Sequence, residues 1–311
     1  MPDIMADESV ICDELRAQLP GAIVRADEPL AKRSTLRAGG RADVYVEPSS
    51  ENELGRLLKF CRERGLPVMV LGRGSNLLVR DGGVRGIVAG LNHPFFSFIE
   101  ENGRELRCGA GARLKAVSAR AREAGLAGLE FLEGIPGSVG GALRMNAGAM
   151  GGATFDVVSR VRFMDQNGEI HERAAIGMKA EYRSCPMLKD CVALAAVFQG
   201  EPSTKEEVAA RIDEFNRRRW QSQPKEPSAG CIFKNPSPAL SAGKVIQEAG
   251  LKGARIGGAS VPEVHANFII NDGTATARDV LELIELIRSR VKEGRGIDLT
   301  TEVEIIGEDA A

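Results

Sequence analysis

Glu133-Gly134-Ile135-Pro136-Gly137-Ser138-Val139-Gly140-Gly141-Ala142, followed shortly by Met145-Asn146-Ala147-Gly148-Ala149, is the stretch on which the reading of this chain turns. Glycine recurs at 134, 137, 140, 141 and 148 among apolar residues. A flexible linker is polar as well as glycine-rich. Dense glycine among apolar residues predicts instead a backbone held close to a flat or charged ligand. The stretch contains no lysine, which excludes the lysine-bearing phosphate loop of nucleoside triphosphatases. A purely structural turn is the competing reading.

A second glycine loop lies upstream. The apolar run Pro67–Leu71 predicts a buried strand that leads directly into Gly72-Arg73-Gly74-Ser75-Asn76. Glycines after a strand let the backbone turn sharply and aim successive N–H groups at one spot, which suits a phosphate. The loop is a poor dinucleotide fingerprint, because a third glycine is missing and Leu77-Leu78-Val79 continues as strand. Alternatively it is a tight turn in which Ser75 and Asn76 bond their own backbone.

Outward from these loops the chain falls into three regions. Before about Val68, Ser50 and Glu53 predict a capping box for a helix with the stripe Leu54, Leu57, Leu58 and Cys61, stopped by Gly65. From Met69 to Gln199 short apolar runs alternate with glycine. Gly86–Leu91, Glu105–Gly109, Val161–Met164 and Cys191–Phe198 read as strands, Asn167-Gly168 as a hairpin turn, and Arg113–Ala124 as a helix. Beyond Glu201, Ser203 and Glu206 predict a capping box for a helix ending near Trp220, and the loop Gln221–Gly230 follows. Val280, Ile284, Ile287 and Val291 predict a long helix stopped at Gly294, and Leu299–Ile306 a final strand. The fold class is α+β.

With 311 residues, 43% of them hydrophobic and 27% charged, the chain has the makings of a soluble protein of about two domains. A net charge of −2 gives no electrostatic reason to expect nucleic acid or an anionic membrane as partner. No apolar run approaches the roughly 20 residues of a membrane span. The opening MPDIMADESV lacks the features of a secretory signal, so a cytoplasmic location is expected. Six scattered cysteines form no C-x-x-C pair, and none of the three histidines lies near one in sequence. No metal site is expected, and the thiols are expected free.

Three further segments can carry chemistry. Glu181-Tyr182-Arg183-Ser184 offers a guanidinium fork suited to a carboxylate, or else an ordinary surface arginine. Ser228-Ala229-Gly230-Cys231-Ile232-Phe233-Lys234-Asn235-Pro236 puts a cysteine in a Ser/Gly turn ahead of Lys and Asn; a buried inert thiol is the alternative. Thr301-Glu302-Val303-Glu304-Ile305-Ile306 alternates, with both glutamates opposite the apolar face, which also fits a solvated strand.

Taken in order, the loop Gly72–Leu78, the run Gly134–Ala142 and Asn146–Ala149 resemble the FAD-binding domain of vanillyl-alcohol-oxidase-type flavoenzymes. Within that group the chain resembles the UDP-N-acetylenolpyruvoylglucosamine reductase family from about Leu30 to Ile306, including Ser34-Thr35-Leu36-Arg37-Ala38-Gly39-Gly40-Arg41-Ala42-Asp43. The resemblance implies an N-terminal helical extension (1–29), a two-part FAD-binding domain (30–200, divided near 68/69) and a C-terminal α+β substrate-binding domain (201–311). It implies noncovalent FAD held by Gly72, Arg73, Gly74, Ser75, Asn76, Gly134, Ile135, Pro136, Gly137, Ser138, Gly140, Gly141, Asn146, Gly148 and Ala149.

By the same resemblance Arg183, Cys231 and Glu302 are catalytic, and Arg219, Lys234, Asn235 and His265 are substrate-side residues. NADPH is the implied hydride donor. The implied partner is a UDP-sugar enolpyruvyl ether, reduced in peptidoglycan precursor synthesis, and a monomer is expected. Arg183 would stabilise the enolate-like charge and Glu302 would polarise the substrate carboxylate. Cys231 would deliver the proton. Serine is the commoner family residue at that place, but an ordinary thiol, with a pKa of about 8.5, is mostly protonated at neutral pH. No tyrosine-bearing insertion follows Arg183, which matches the shorter subgroup. An FAD oxidase of an alcohol or sugar on the same fold, and a noncatalytic nucleotide-sugar binding module, are the other classes considered.

Overall fold

The structure is a computed structural model that describes residues 8–310. The expectation drawn from MPDIMADESV, that no secretory signal opens the chain, falls on residues of which the first seven lie outside those described. The chain divides into two compact units that interleave in sequence. Among the described residues, one comprises 8–26, Val44–Arg73 and Gly86–Arg218; the other Asp27–Asp43, Gly74–Arg85 and 219–310. Consecutive blocks at 30–200 and 201–311 were expected. Residues 27–43 and 74–85 instead group with the C-terminal segment, because Leu36, Ala38 and Leu78 are buried in the same core as Phe233, Ile246 and Ile284.

The described helices are α1 (Glu8–Gln18), α2 (Glu51–Arg64), α3 (Leu114–Glu123), α4 (Val139–Met145), α5 (Lys205–Ser222), α6 (Ala242–Glu248) and α7 (Ala277–Arg295). Within the first unit, α1 is no loose extension. It buries Ile11, Cys12 and Leu15 in a core shared with Leu57, Phe60 and Cys61 of α2. Ser50 caps α2 as its sequence predicts, accepting from Glu53 N. The other half of the expected box is redirected, since the Glu53 carboxylate accepts from Gly21 N, Ser49 N and the Ser49 hydroxyl. Burial acts to raise the Glu53 pKa, but these bonds outweigh it and the net shift is downward.

The principal sheet of this unit runs Ile170–Ala174, Val158–Met164, Val192–Gln199, Glu105–Gly109, Ile99–Asn102, every neighbour antiparallel. The Asn167-Gly168 signal is a real hairpin: Met164 pairs with Ile170, and Asp165 Oδ1 accepts from Asn167 N and Glu169 N. The strand expected at Pro67–Leu71 spans Val68–Leu71 and is buried only at Leu71, because it lies at the edge of its four-stranded sheet.

In the second unit, α7 lays Val280, Leu283, Ile284, Ile287 and Val291 into the core, each burial worth roughly 1.5–3 kcal/mol gross. Thr276 and Asp279 form its capping box, and the helix runs through the expected stop at Gly294 to Gly296. A four-stranded sheet has the order Ser228–Cys231, Phe268–Asn271, Ala259–Ser260, Arg255–Ile256. Only Glu304–Ile306 of the expected last strand forms a ladder, parallel to Leu77–Val79. Residues just before it bond to the Cys231 segment instead. The capping box expected for α5 is offset by one residue: Thr204 Oγ1 accepts from Glu207 N, and Glu207 accepts from Thr204 N and the Ser203 hydroxyl.

Candidate active site

Within the second unit the backbone builds a site around Cys231. The strand Ser228–Cys231 pairs antiparallel with Phe268–Asn271, and its register is broken between Ser228 and Cys231. Gly230 sits at the break with φ 76°, a left-handed conformation that only glycine adopts without strain. This bulge re-aims Cys231, which is half-buried. Glu302 N donates to Ile232 O at 2.7 Å, Lys234 N to Thr300 O at 2.9 Å, and Phe233 bridges to Thr301. The segments bearing Cys231 and Glu302 are therefore directly hydrogen-bonded neighbours.

Two buried asparagines that sequence reasoning missed hold this frame. Asn267 accepts from Phe233 N at 2.9 Å and donates to Phe233 O at 2.8 Å, acting as one more residue of sheet edge. Asn271 accepts from Gly273 N and Ala275 N and donates to Leu36 O and Arg37 O. Each is a polar residue in the otherwise apolar run Ala266–Asn271, and that was the available signal. Thr35 belongs to the segment Ser34–Asp43, with no local signal of its own. Its hydroxyl donates to Ser228 O at 2.7 Å and its N–H to Gly74 O at 3.1 Å, joining the glycine loop to the start of the Cys231 strand.

His265 Nδ1 accepts from Asn267 N at 3.1 Å, leaving its proton on Nε2, and the ring meets Phe268 edge-on at 4.8 Å. Burial, aided by the charge of Lys252, pushes the His265 pKa down. Asn235 accepts from Ala242 N at the start of α6. Arg219, near the end of α5, donates to Gln223 and lies over the Trp220 ring. Lys234 is half-buried beside the Cys231 strand.

The first unit carries the Arg183 turn and the long glycine segment. That segment was expected to be loop throughout, but residues 139–145 form α4, with Ser138 as its cap accepting from Gly141 N. Gly140 is spent on packing: its N–H bonds Ala110 O, and a Cβ there would lie 3.1 Å from the Ala110 Cβ. Gly134, at the end of a single turn of helix, and Gly141 differ. A Cβ on either would meet only one protein atom, at 3.7 and 3.6 Å. Ile135, Pro136 and Gly137 connect that turn to Ser138, Asn146 ends α4, and Gly148-Ala149 pairs with Gly152-Ala153. A Cβ on Gly72 would lie 2.8 Å from the Ser138 hydroxyl, so the two glycine segments touch.

Arg183 has φ 55°, a costly conformation for a non-glycine residue, and its Nη2 donates to Gly148 O at 3.5 Å. Partial burial, then the like charge of Arg113, pushes the Arg73 pKa down. The N–H groups of Arg73, Gly74 and Ser75 meet no acceptor among the described residues. The Arg73 cation and these unanswered N–H groups fit the diphosphate of FAD. Gly74 itself (φ 59°) leaves no room for a side chain, since a Cβ would stand 2.3 Å from Arg33 O.

Comparison with known proteins narrows this geometry. Residues 42–173 match an FAD binding domain, which defines the chain as a flavin-dependent type of protein. Residues 223–306 match the C-terminal domain of UDP-N-acetylenolpyruvoylglucosamine reductase. Relatives of that name in Listeria innocua and Shouchella clausii are 41% and 42% identical, each over 96% of this chain, and over 99% and 96% of the relative. The crystal structure of the enzyme from Thermus caldophilus superposes with a TM-score of 0.80 at 37% identity, covering 91% of this chain and 99% of that one. The chain belongs to the UDP-N-acetylenolpyruvoylglucosamine reductase family. No helix among the described residues is long and apolar enough to cross a membrane.

Proposed function

We propose that this chain reduces UDP-N-acetylglucosamine enolpyruvate to UDP-N-acetylmuramate with NADPH, as a cytoplasmic monomer. The observation that carries the reading is the direct bonding of the Cys231 and Glu302 segments in a chain of this family. FAD bound by this chain would supply the two-electron chemistry that couples NADPH oxidation to reduction of the enolpyruvyl double bond. Gly72–Asn76 and Gly134–Ala149 would hold it, and the Arg73 cation would suit its negative charge.

Reduction at the substrate's methylene carbon leaves negative charge on the adjacent carbon and its carboxylate. Arg183 stabilises that charge, and its fixed cation needs no reorganisation as the charge develops. Glu302 polarises the carboxylate end. Cys231 delivers the proton to the carbon beside the carboxylate, from a half-buried place on a bulge that frees its side chain from the strand's alternation. Lys234, Asn235, His265 and Arg219 serve the remainder of the substrate.

The test is anaerobic. NADPH should bleach the yellow protein, and the enolpyruvyl ether should restore the colour with one equivalent of product. Bleaching by an alcohol, with colour restored only by oxygen, would establish the oxidase class instead. A protein that takes up no flavin would establish a binding module.

A further inference from the structure

The turn that presents Arg183 is a small, self-closed unit. Glu181 N donates to Ser184 O at 2.7 Å and Ser184 N to Glu181 O at 3.2 Å, with Tyr182 and Arg183 at the tip. Tyr182 is 57% exposed, so the tip has little packing to fix it. What fixes it is the end of α4 and the residues just beyond. Cys185 N donates to Arg144 O at 2.9 Å, and Asn146 Nδ2 donates to Glu181 O at 3.0 Å. Arg183 itself reaches Gly148 O.

Asn146 is the centre of this clasp. It ends α4 in the left-handed conformation, φ 40°, where glycine or asparagine is favoured. Glycine would satisfy the backbone equally well, but only an amide side chain can also bridge. Its Oδ1 accepts from Phe155 N at 3.1 Å, which fixes the amide plane and turns Nδ2 toward Glu181. Aspartate would keep the acceptor and lose the donor.

We propose that Asn146 is a positioning residue for Arg183, holding the Glu181–Ser184 turn against the end of α4 so that the guanidinium stands over Gly148. This goes beyond the cofactor contact expected for Asn146, and it rests on the reading of Arg183 as the group that meets the substrate's developing charge.

The experiment uses the FAD-loaded enzyme and the variant Asn146→Asp, with Asn146→Gly as a second variant that relieves the backbone and deletes both side-chain bonds. Hydrogen exchange should reveal the amides of Glu181 and Ser184 opening about tenfold faster in both variants, the order expected for one lost hydrogen bond. Reoxidation of the reduced enzyme by the enolpyruvyl ether should slow about tenfold to a hundredfold, as misplacement of a reacting group does. Introduced into Arg183→Ala, the same substitutions should slow it by no more than about twofold, because the group being positioned is gone. Equal slowing in both backgrounds, or unchanged protection at Glu181 and Ser184, overturns the proposal. If Arg183→Ala alone reoxidises like the parent, the reading of Arg183 falls, and the positioning role falls with it.

Discussion

Asn76 donates its side-chain amide to the backbone carbonyl of Glu302 at 3.0 Å, while its own carbonyl accepts from Glu304 N. A loop proposed to hold FAD thus shares a two-sided clasp with the strand end proposed to act on substrate. Asn76→Ala is expected to weaken FAD binding and slow substrate-driven reoxidation together. Glu302→Gln and Arg183→Ala should instead leave NADPH-driven reduction near normal and slow reoxidation selectively. The loss should be about 2.7–4 kcal/mol if comparable to losing one oxyanion-hole donor. Stopped-flow measurement of the two half-reactions separates these cases, and equal slowing of both in Glu302→Gln would remove Glu302 from its role.

Cys231→Ser should retain substantial turnover, since a positioned hydroxyl also donates a proton, and Cys231→Ala should lose reoxidation while still being bleached by NADPH. In the parent, reoxidation should fall with rising pH as the thiol ionises, and the serine variant should lack that fall. Wild-type reoxidation in Cys231→Ala would reduce the thiol to a packing role.

Gly134 offers a test of the cofactor cradle that does not disturb the protein. A Cβ there meets only the Ala149 side chain, at 3.7 Å. Gly134→Val should therefore leave the melting temperature of the flavin-free protein within a few degrees, yet raise the FAD dissociation constant about tenfold or more. Fluorescence titration of apoprotein with FAD reads this directly. Unaltered FAD affinity would take Gly134 out of the cradle. Acid precipitation should release all flavin as FAD, whereas flavin left on the pellet would mean a covalent link.

Protonation of His265 should cost stability. Its pKa is lowered in the folded state, chiefly by burial, so the folded protein binds the proton less readily than the unfolded chain. The stabilisation is present above the unfolded value of about 6.5 and is lost as pH falls through the folded pKa. Urea midpoints should drop between pH 7 and 5, and the drop should be smaller in His265→Gln. An identical drop in both proteins would place the titration elsewhere.

The sequence made the elements with strong local signals legible. Ser50 and Gly65 frame α2, the stripe Val280–Val291 lies on one face of α7, and Asn167-Gly168 closes a hairpin. Signals that depend on distant partners were harder to read. Glu53 spends its carboxylate on Gly21 and Ser49 rather than on its own cap, a choice set by a chain segment 32 residues away. The glycines of 134–148 look alike in sequence. Only the structure separates Gly140, spent against Ala110, from Gly134 and Gly141, which have open space. Cys231 and Glu302 were legible as residues, but nothing local reveals that Glu302 N bonds Ile232 O. The amide bridges of Asn146, Asn267 and Asn271 went unread because a side chain that imitates backbone leaves no periodicity.

The clasp between Asn76 and Glu302 spans 226 residues, that between Thr35 and Ser228 spans 193, and Leu77–Val79 has its ladder partner at Glu304–Ile306. Contacts of such separation form only after a long loop has closed, and chains dominated by them fold slowly. During synthesis the loop Gly74–Asn76 waits, with its strand unpaired, until almost the last described residue has emerged. An edge exposed that long is a ready template for association between chains. Folding of this protein should therefore end with a slow, concentration-sensitive step in which Leu77–Val79 finds Glu304–Ile306, and the frame that joins the Cys231 and Glu302 segments is complete only after it.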